Sequence, residues 1–360
     1  MGVLVNPIAG FGGPLAMHGT DALAPERFDE AVRAGRAARR LLQALDRFRD
    51  AAVMADFVAA PGVLGADHLA ASGIPHRILH GTVGRPTTRR DTIDSARGLV
   101  ADGVDVLVFS GGDGTAADLA EALGTAVPVI GILSGVKMHS EVFARSPESA
   151  GRLLADVLAG DAVSELAEVL DVGADGASGV VAMLLAPHSR EVLQGAKTSA
   201  RGGSASAQSR TIARELVASA DNDVTWIIGP GNTTSAVADE LGFAATLRGV
   251  DVLHPTGELE LDVTEERLHQ ITCAAGNPRL VLGVVGGQGF LLGRGNQQVS
   301  PRVVESVGAT GVEIVATSQK VGGLFPPVLY VDTEEPVGLL GYRRVRIGAR
   351  QSTVMKVSAA

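Results

Sequence analysis

The spacing of apolar and polar positions gives the chain two textures. In the first, short apolar runs alternate with longer helical patterns. Val3–Asn6 reads as a strand followed by the loop "PIAGFGG", and an Arg/Ala-rich helical pattern covers Glu26–Asp50. Val53–Ala59 reads as a second strand, and a helix begins near Thr88 or Asp91. Val104–Phe109 and Val127–Leu133 are unbroken apolar runs, as expected of strands buried on both faces of a parallel sheet. Between them, Thr115–Leu123 predicts a short helix stopped by Gly124. Ser146, Pro147 and Glu148 form the start signal of another helix. This alternation predicts an open α/β sheet through residue 160, with "LAGDAVSEL" as a boundary.

The second texture is richer in strands. "TSARGGSASAQS" predicts a loop or flap, or equally a plain linker. "DVTWIIGPGNTTSAVADELG" repeats the strand, glycine loop and helix of the first half. "PRLVLGVVGGQGFLLGRGNQQVSP" holds two apolar runs that read as adjacent strands, and "GYRRVRIGARQSTVMKV" holds one or two more. The expected division is 1–160 as a nucleotide-binding α/β domain, 161–335 as a β-rich acceptor-binding domain, and 336–360 as closing strands. A return of those strands to the first domain is one expectation.

Composition narrows the function. A chain of 360 residues suits two domains. A net charge of -9, with aromatics at only 3 %, argues against a nucleic-acid or membrane partner. Cys273 is the single cysteine, which excludes an intrachain disulfide and fits a cytoplasmic address. "MGVLVNPIAG" has no basic n-region and reads as a strand. No apolar run approaches the roughly 18 residues of a membrane helix.

The chemistry concentrates in "VFSGGDGTAADLAEAL", residues 108–123. Glycines admit close approach to backbone amides, and a helix N-terminus adds unpaired N–H groups, so the turn suits a phosphate. Asp113 inside it makes sense beside Mg²⁺, or as the group that takes a proton from an attacking hydroxyl. A bare Asp-Gly turn is the plain alternative. No P-loop signature and no clean dinucleotide fingerprint occurs. "SGVKMHS" places Lys137, His139 and Ser140 after a buried strand, where open α/β sheets bind ligands. In "TTRRDT", Thr87, Thr88 and Thr92 offer hydroxyls to the nucleotide phosphates, or a helix cap by Thr88. "GPGNTTS" repeats the anion-site arrangement with Gly229, Gly231, Thr233 and Thr234, and "GGQGFLLGRGNQQ" sets Gln288, Arg294, Asn296 and Gln297 in glycine loops. Lys197 is a further phosphate candidate. Glu334 and Glu335 read as a solvated turn, and the histidines show no metal spacing.

GGDGT after a buried strand, with Asn6-Pro7 closing the first strand, resembles the superfamily of NAD kinases, diacylglycerol kinases and sphingosine kinases. "GVKMHS", "EVLQGAK", "GPGNTTSAVADELG" and "GGQGFLLGRGNQQVSP" further resemble the ATP-NAD kinase family, in the subgroup of the acetoin-catabolism protein X. The resemblance spans nearly the whole chain. It implies an α/β domain and a β-rich domain with the active site in the cleft between them, ATP as phosphate donor, Mg²⁺, and a homo-oligomer. It places Gly111, Gly112, Gly114 and Thr115 at the nucleotide phosphates, Asn6 and Pro7 on the nucleotide side, and Asp113 at Mg²⁺ or the acceptor hydroxyl. It turns Lys137, His139 and Ser140, with Gly231, Thr233, Thr234, Gln288, Arg294 and Asn296, into acceptor-side candidates. The Asn-Glu pair of NAD kinases is absent; the corresponding region reads "LLAPHSREVLQGAK", with Glu191 as the nearest stand-in. The acceptor that the resemblance implies is NAD(H) or a related nucleotide or nucleoside, and the missing pair counts against NAD itself. A lipid kinase, a nucleotide-binding sensor without turnover and an NAD-dependent dehydrogenase are the competing readings.

Overall fold

The computed structural model describes residues 1–360 apart from 18, 21–22, 52, 136–137, 139, 173–177, 189–206, 247–248, 286–287, 325, 334 and 336. The chain divides into two compact units.

The first unit begins with β1 (Gly2–Val5), α1 (Phe28–Ala34), α2 (Arg36–Arg49), β2 (Val58–Ala59), α3 (Ala66–Ala71) and β3 (Arg77–Ile78). It continues with α4 (Arg89–Ala101), β4 (Leu107–Gly111), α5 (Asp113–Leu123), β5 (Val129–Leu133) and α6 (Pro147–Ala159). The strands form one all-parallel sheet in the order β3-β2-β1-β4-β5. Alternate residues feed opposite faces. Val3, Val5, Val106, Val108, Ile130 and Ile132 pack against α2 and α6. Leu4, Leu107, Phe109, Val129 and Leu133 pack against α4 and α5. The single helical pattern expected over Glu26–Asp50 is two helices, because Gly35 turns left-handed at φ 57° and ends α1. Of the strand expected over Val53–Ala59, only Val58 and Ala59 pair.

The antiparallel hairpin β6 (Val163–Val172) and β7 (Ser178–His188) carries this unit past the expected boundary at 160. Its inner face, Ala167, Val169, Leu184 and Ala186, is buried in the same core as Ala116, Leu119 and Ala120 of α5.

The second unit opens with α7 (Ala207–Ala218), β8 (Thr225–Ile228), α8 (Asn232–Leu241), β9 (Asp251–Leu253), β10 (Leu259–Glu260) and α9 (Glu265–Ala274). Then come β11 (Pro278–Gly283), β12 (Phe290–Leu292), α10 (Pro301–Val307), β13 (Val312–Val315) and α11 (Ser318–Gly322). β14 (Val328–Val331), β15 (Gly341–Gly348) and β16 (Gln351–Ala359) complete it. They build a nine-stranded mixed sheet, β10-β9-β8-β11-β13-β15-β16-β14-β12. Two expectations change here. β11 and β12 are not neighbours; β13, β15, β16 and β14 lie between them. The closing strands do not return to the first unit. They occupy the middle of the second sheet, where Val345, Met355 and Val357 are buried in its core.

Candidate active site

In the first sheet the strand order reverses between β1 and β4. Open α/β sheets bind ligands outside the carboxyl ends of the strands at such a switch point. The two ends that meet there are Asn6-Pro7 after β1 and Gly111–Thr115 after β4. The backbone joins them, with Asn6 N–H donating to Ser110 O at 2.9 Å. The side chains join them again, with Asn6 Nδ2 donating to Thr115 Oγ1 at 3.0 Å. Asn6 Oδ1 accepts from Ile8 N–H at 3.3 Å, which rounds off the turn through Pro7. Beneath this layer Ser110 Oγ donates to Ala37 O of α2 at 2.7 Å, and Ser134 Oγ lies 2.6 Å from it.

The glycines of the turn have different reasons to be there. A Cβ on Gly111 would sit 2.6 Å from Thr115 Oγ1, so α5 folds back on its own strand only if that strand ends in glycine. Gly10, at φ 80°, brings the loop after β1 so close to Ser134 that a Cβ would lie 2.3 Å from its carbonyl oxygen. Gly112 is the N-cap of α5 in extended conformation and has no side chain to cap the helix. The helix therefore starts with no side-chain cap from its N-cap residue. Gly114 differs from Gly111 and Gly10: its φ is not left-handed, and a Cβ there would meet nothing within 4 Å among the described residues.

Asp113 is the first residue of α5 and is buried. Its Oδ1 accepts twice from Ser140, from the backbone N–H at 3.0 Å and from Oγ at 2.6 Å. Among the described residues no group of three or more His, Cys, Asp or Glu could hold a metal ion.

The remaining candidates fall in several places. Thr88 caps α4 in a reciprocal box with Asp91: its N–H and Oγ donate to Asp91 Oδ2 at 2.7 and 2.6 Å. Thr87 precedes the cap, and Thr92 is buried in the helix. Arg89, just after the cap, joins α4 to Asp118 and Glu121 of α5. Lys137, His139, Glu191, Lys197 and Glu334 lie outside the described residues.

In the second unit, Gly231 caps α8 at φ 120° and its carbonyl accepts from Thr234 Oγ1 at 2.7 Å. Thr233 Oγ1 accepts from Lys320 Nζ at 3.0 Å, a partner of this loop that no local motif announces. Gln288 lies in the turn after β11, its N–H donating to Val285 O at 3.3 Å. Arg294 pairs with Asp332 at 2.9 Å, with both side chains buried, and stacks over Phe290 at 4.3 Å. Asn296 holds its own loop, accepting from Gly293 N–H and donating to Leu291 O. The side chains of Arg294 and Asn296 are therefore engaged within the second unit, and the Gln297 amide donates to Gly293 O at 3.3 Å.

A parallel sheet whose switch point joins an Asn-Pro turn to a glycine-rich turn and an uncapped helix defines a nucleotide-binding α/β protein. Its particular kind follows from comparison with known families. The chain belongs to the ATP-NAD kinase family: residues 2–162 match the family's N-terminal domain and residues 221–350 its C-terminal domain. No curated protein and no solved structure matches the chain. Both domains of a phosphotransferase family are thus present, and no helix among the described residues is long and apolar enough to cross a membrane.

Proposed function

We propose that the protein is a Mg²⁺-dependent kinase that transfers the γ-phosphoryl group of ATP to a hydroxyl of NAD(H) or a related nucleotide. The observation that carries this reading is Gly114. Neither its backbone conformation nor the described residues around it require a glycine, and alanine favours a helix there. That open backbone supports the reading, because phosphates can approach the first turn of α5 where a side chain would otherwise stand.

In this reading the amides of residues 113–115 and the N-terminal end of α5 hold the donor's phosphates. Asn6 and Thr115 hold the turn's two strand ends together. Asp113 takes the proton of the acceptor hydroxyl as its oxygen bonds to the γ-phosphorus and the bond to the β-phosphate oxygen breaks, releasing ADP. The residues also fit Mg²⁺ that arrives with the nucleotide. Such an ion keeps most of its waters and needs only one or two carboxylates besides phosphate oxygens, and Asp113 is the carboxylate present. Bound there, Mg²⁺ would neutralise charge on the phosphates. In this reading the acceptor contacts come from Lys137, His139, Gly231, Thr233, Thr234, Gln288, Arg294 and Asn296.

The test is mass spectrometry of reactions containing ATP, Mg²⁺ and a pool of NAD, NADH, nucleosides and diacylglycerol, run beside Asp113→Asn. The expected product is a pyridine nucleotide one phosphate heavier, lost in the variant. A phosphorylated lipid would move the protein to the lipid kinases. ATP binding without any product would make it a sensor, and full turnover by Asp113→Asn would sink the mechanism.

A further inference from the structure

Ser140 sits at the crossing of three segments. It follows β5, its side chain is fully buried, and its N–H and Oγ both end on Asp113 Oδ1. The same Oγ accepts from Leu170 N–H of β6 at 3.0 Å. Its distance to Leu170 O is 3.3 Å, against 2.6 Å to the carboxylate, so the hydroxyl proton belongs to Asp113. The order of donation is Leu170 N–H to Ser140 Oγ, then Ser140 O–H to Asp113. Next to it, Glu141 N–H donates to Glu168 O at 2.9 Å, and Glu168 N–H donates to Glu141 Oε2 at 3.2 Å. Residues 140–141 are therefore laced to β6, while the inner face of the hairpin packs on α5, the helix that starts with Asp113.

We infer that Ser140 is a positioning residue, which fixes the rotation of the Asp113 carboxylate and ties it to the β6–β7 hairpin, rather than a contact to the acceptor. A carboxylate on a helix's first residue can turn about two side-chain bonds. Two donors from one residue converging on one of its oxygens oppose that rotation. Burial makes the arrangement costly to lose, since removing the hydroxyl leaves Leu170 N–H without its acceptor. The hairpin thereby becomes part of the catalytic apparatus without touching a substrate.

The inference rests on the kinase reading, because it takes Asp113 as the catalytic group. Its test has two readouts. In amide NMR spectra of the whole chain, Asp113→Asn moves the Ser140 amide proton upfield, as expected when a charged acceptor becomes neutral, and Ser140→Ala moves the Leu170 amide. Neither needs turnover. In kinetics, Ser140→Ala lowers kcat about tenfold with both KM values within about twofold. A Ser140 amide that ignores Asp113→Asn overturns the inference. So does a Ser140→Ala enzyme with raised acceptor KM and intact kcat, which would make Ser140 an acceptor contact. If Ser140→Ala does not fold, the Asp113→Asn spectrum decides. Wild-type protein that forms no phosphorylated product retires the kinase reading alone, and the amide response still decides whether Ser140 holds Asp113.

Discussion

Replacing Gly114 by alanine separates stability from function. The residue is the second of α5, in a conformation any residue adopts, with open space where a Cβ would go. Alanine loses less backbone entropy than glycine on folding, about 0.5–1 kcal/mol in a helix interior and toward the lower figure in a first turn. The variant is expected to gain about 0.5 kcal/mol, or about 1–2 °C in Tm for a unit of this size. Its methyl group, however, stands where phosphate oxygens are to approach the backbone amides. Losing one close contact of that kind lowers kcat/KM about tenfold to a hundredfold. Gly124→Ala is the control. It too has nothing within 4 Å among the described residues, but its φ of 52° and ψ of -120° strain an alanine, so it loses about 1–3 kcal/mol and keeps its activity. Urea denaturation and steady-state kinetics on the three proteins give the answer. A Gly114→Ala protein that is less stable than wild type, or equally active, refutes the reasoning.

Gly151→Ala perturbs the opposite face of the sheet. Its Cβ would sit 2.2 Å from the carbonyl oxygen of Ala44 and 2.9 Å from Phe48 N, both backbone atoms of α2 that cannot swing aside. We expect a loss of about 2–3 kcal/mol, seen in calorimetry as a Tm lower by about 6 °C, and a Tm within about 1 °C of wild type would contradict the close packing of α2 on α6. Glu260 gives a pH-dependent case. The Arg267 guanidinium, hydrogen-bonded at 2.8 Å, holds its carboxyl at about 2 against partial burial, with help from His254. A depressed carboxyl stabilises the fold above its ordinary pKa of 4.5 and loses that contribution as pH falls from there through about 2. The displacement sets a ceiling of about 3 kcal/mol, which screening by solvent cuts to about 1 kcal/mol. Glu260→Gln should therefore be less stable at pH 7 by that amount in urea titrations, with the gap narrowing at pH 3; a gap independent of pH would remove the ion cluster as its cause.

What the sequence disclosed, and what it withheld, follows the distance over which each signal acts. The unit from Leu107 to Leu123 was legible because its signals are local: a run apolar on both faces, glycines, then a helical pattern. The Ser146 cap was legible for the same reason. The break at Gly35 was hidden because arginine and alanine continue a helical pattern on both sides of it, and only the backbone angle reveals the turn. The separation of β11 from β12 was hidden because sheet order depends on partners far along the chain. At the site, GGDGT and Asn6-Pro7 stood out as motifs, whereas Ser140's bond to Asp113 crosses 27 residues and Lys320's to Thr233 crosses 87. Neither leaves a trace in spacing.

The position of β16 in the second sheet has a consequence in time. β14 and β12 reach β13 and the strands beyond it only through the β15–β16 pair. A ribosome makes β12 and β14 before residues 351–359. Until then the sheet exists as two fragments, each with a raw edge ready to accept any passing strand. The gap closes only when the β15–β16 hairpin is complete.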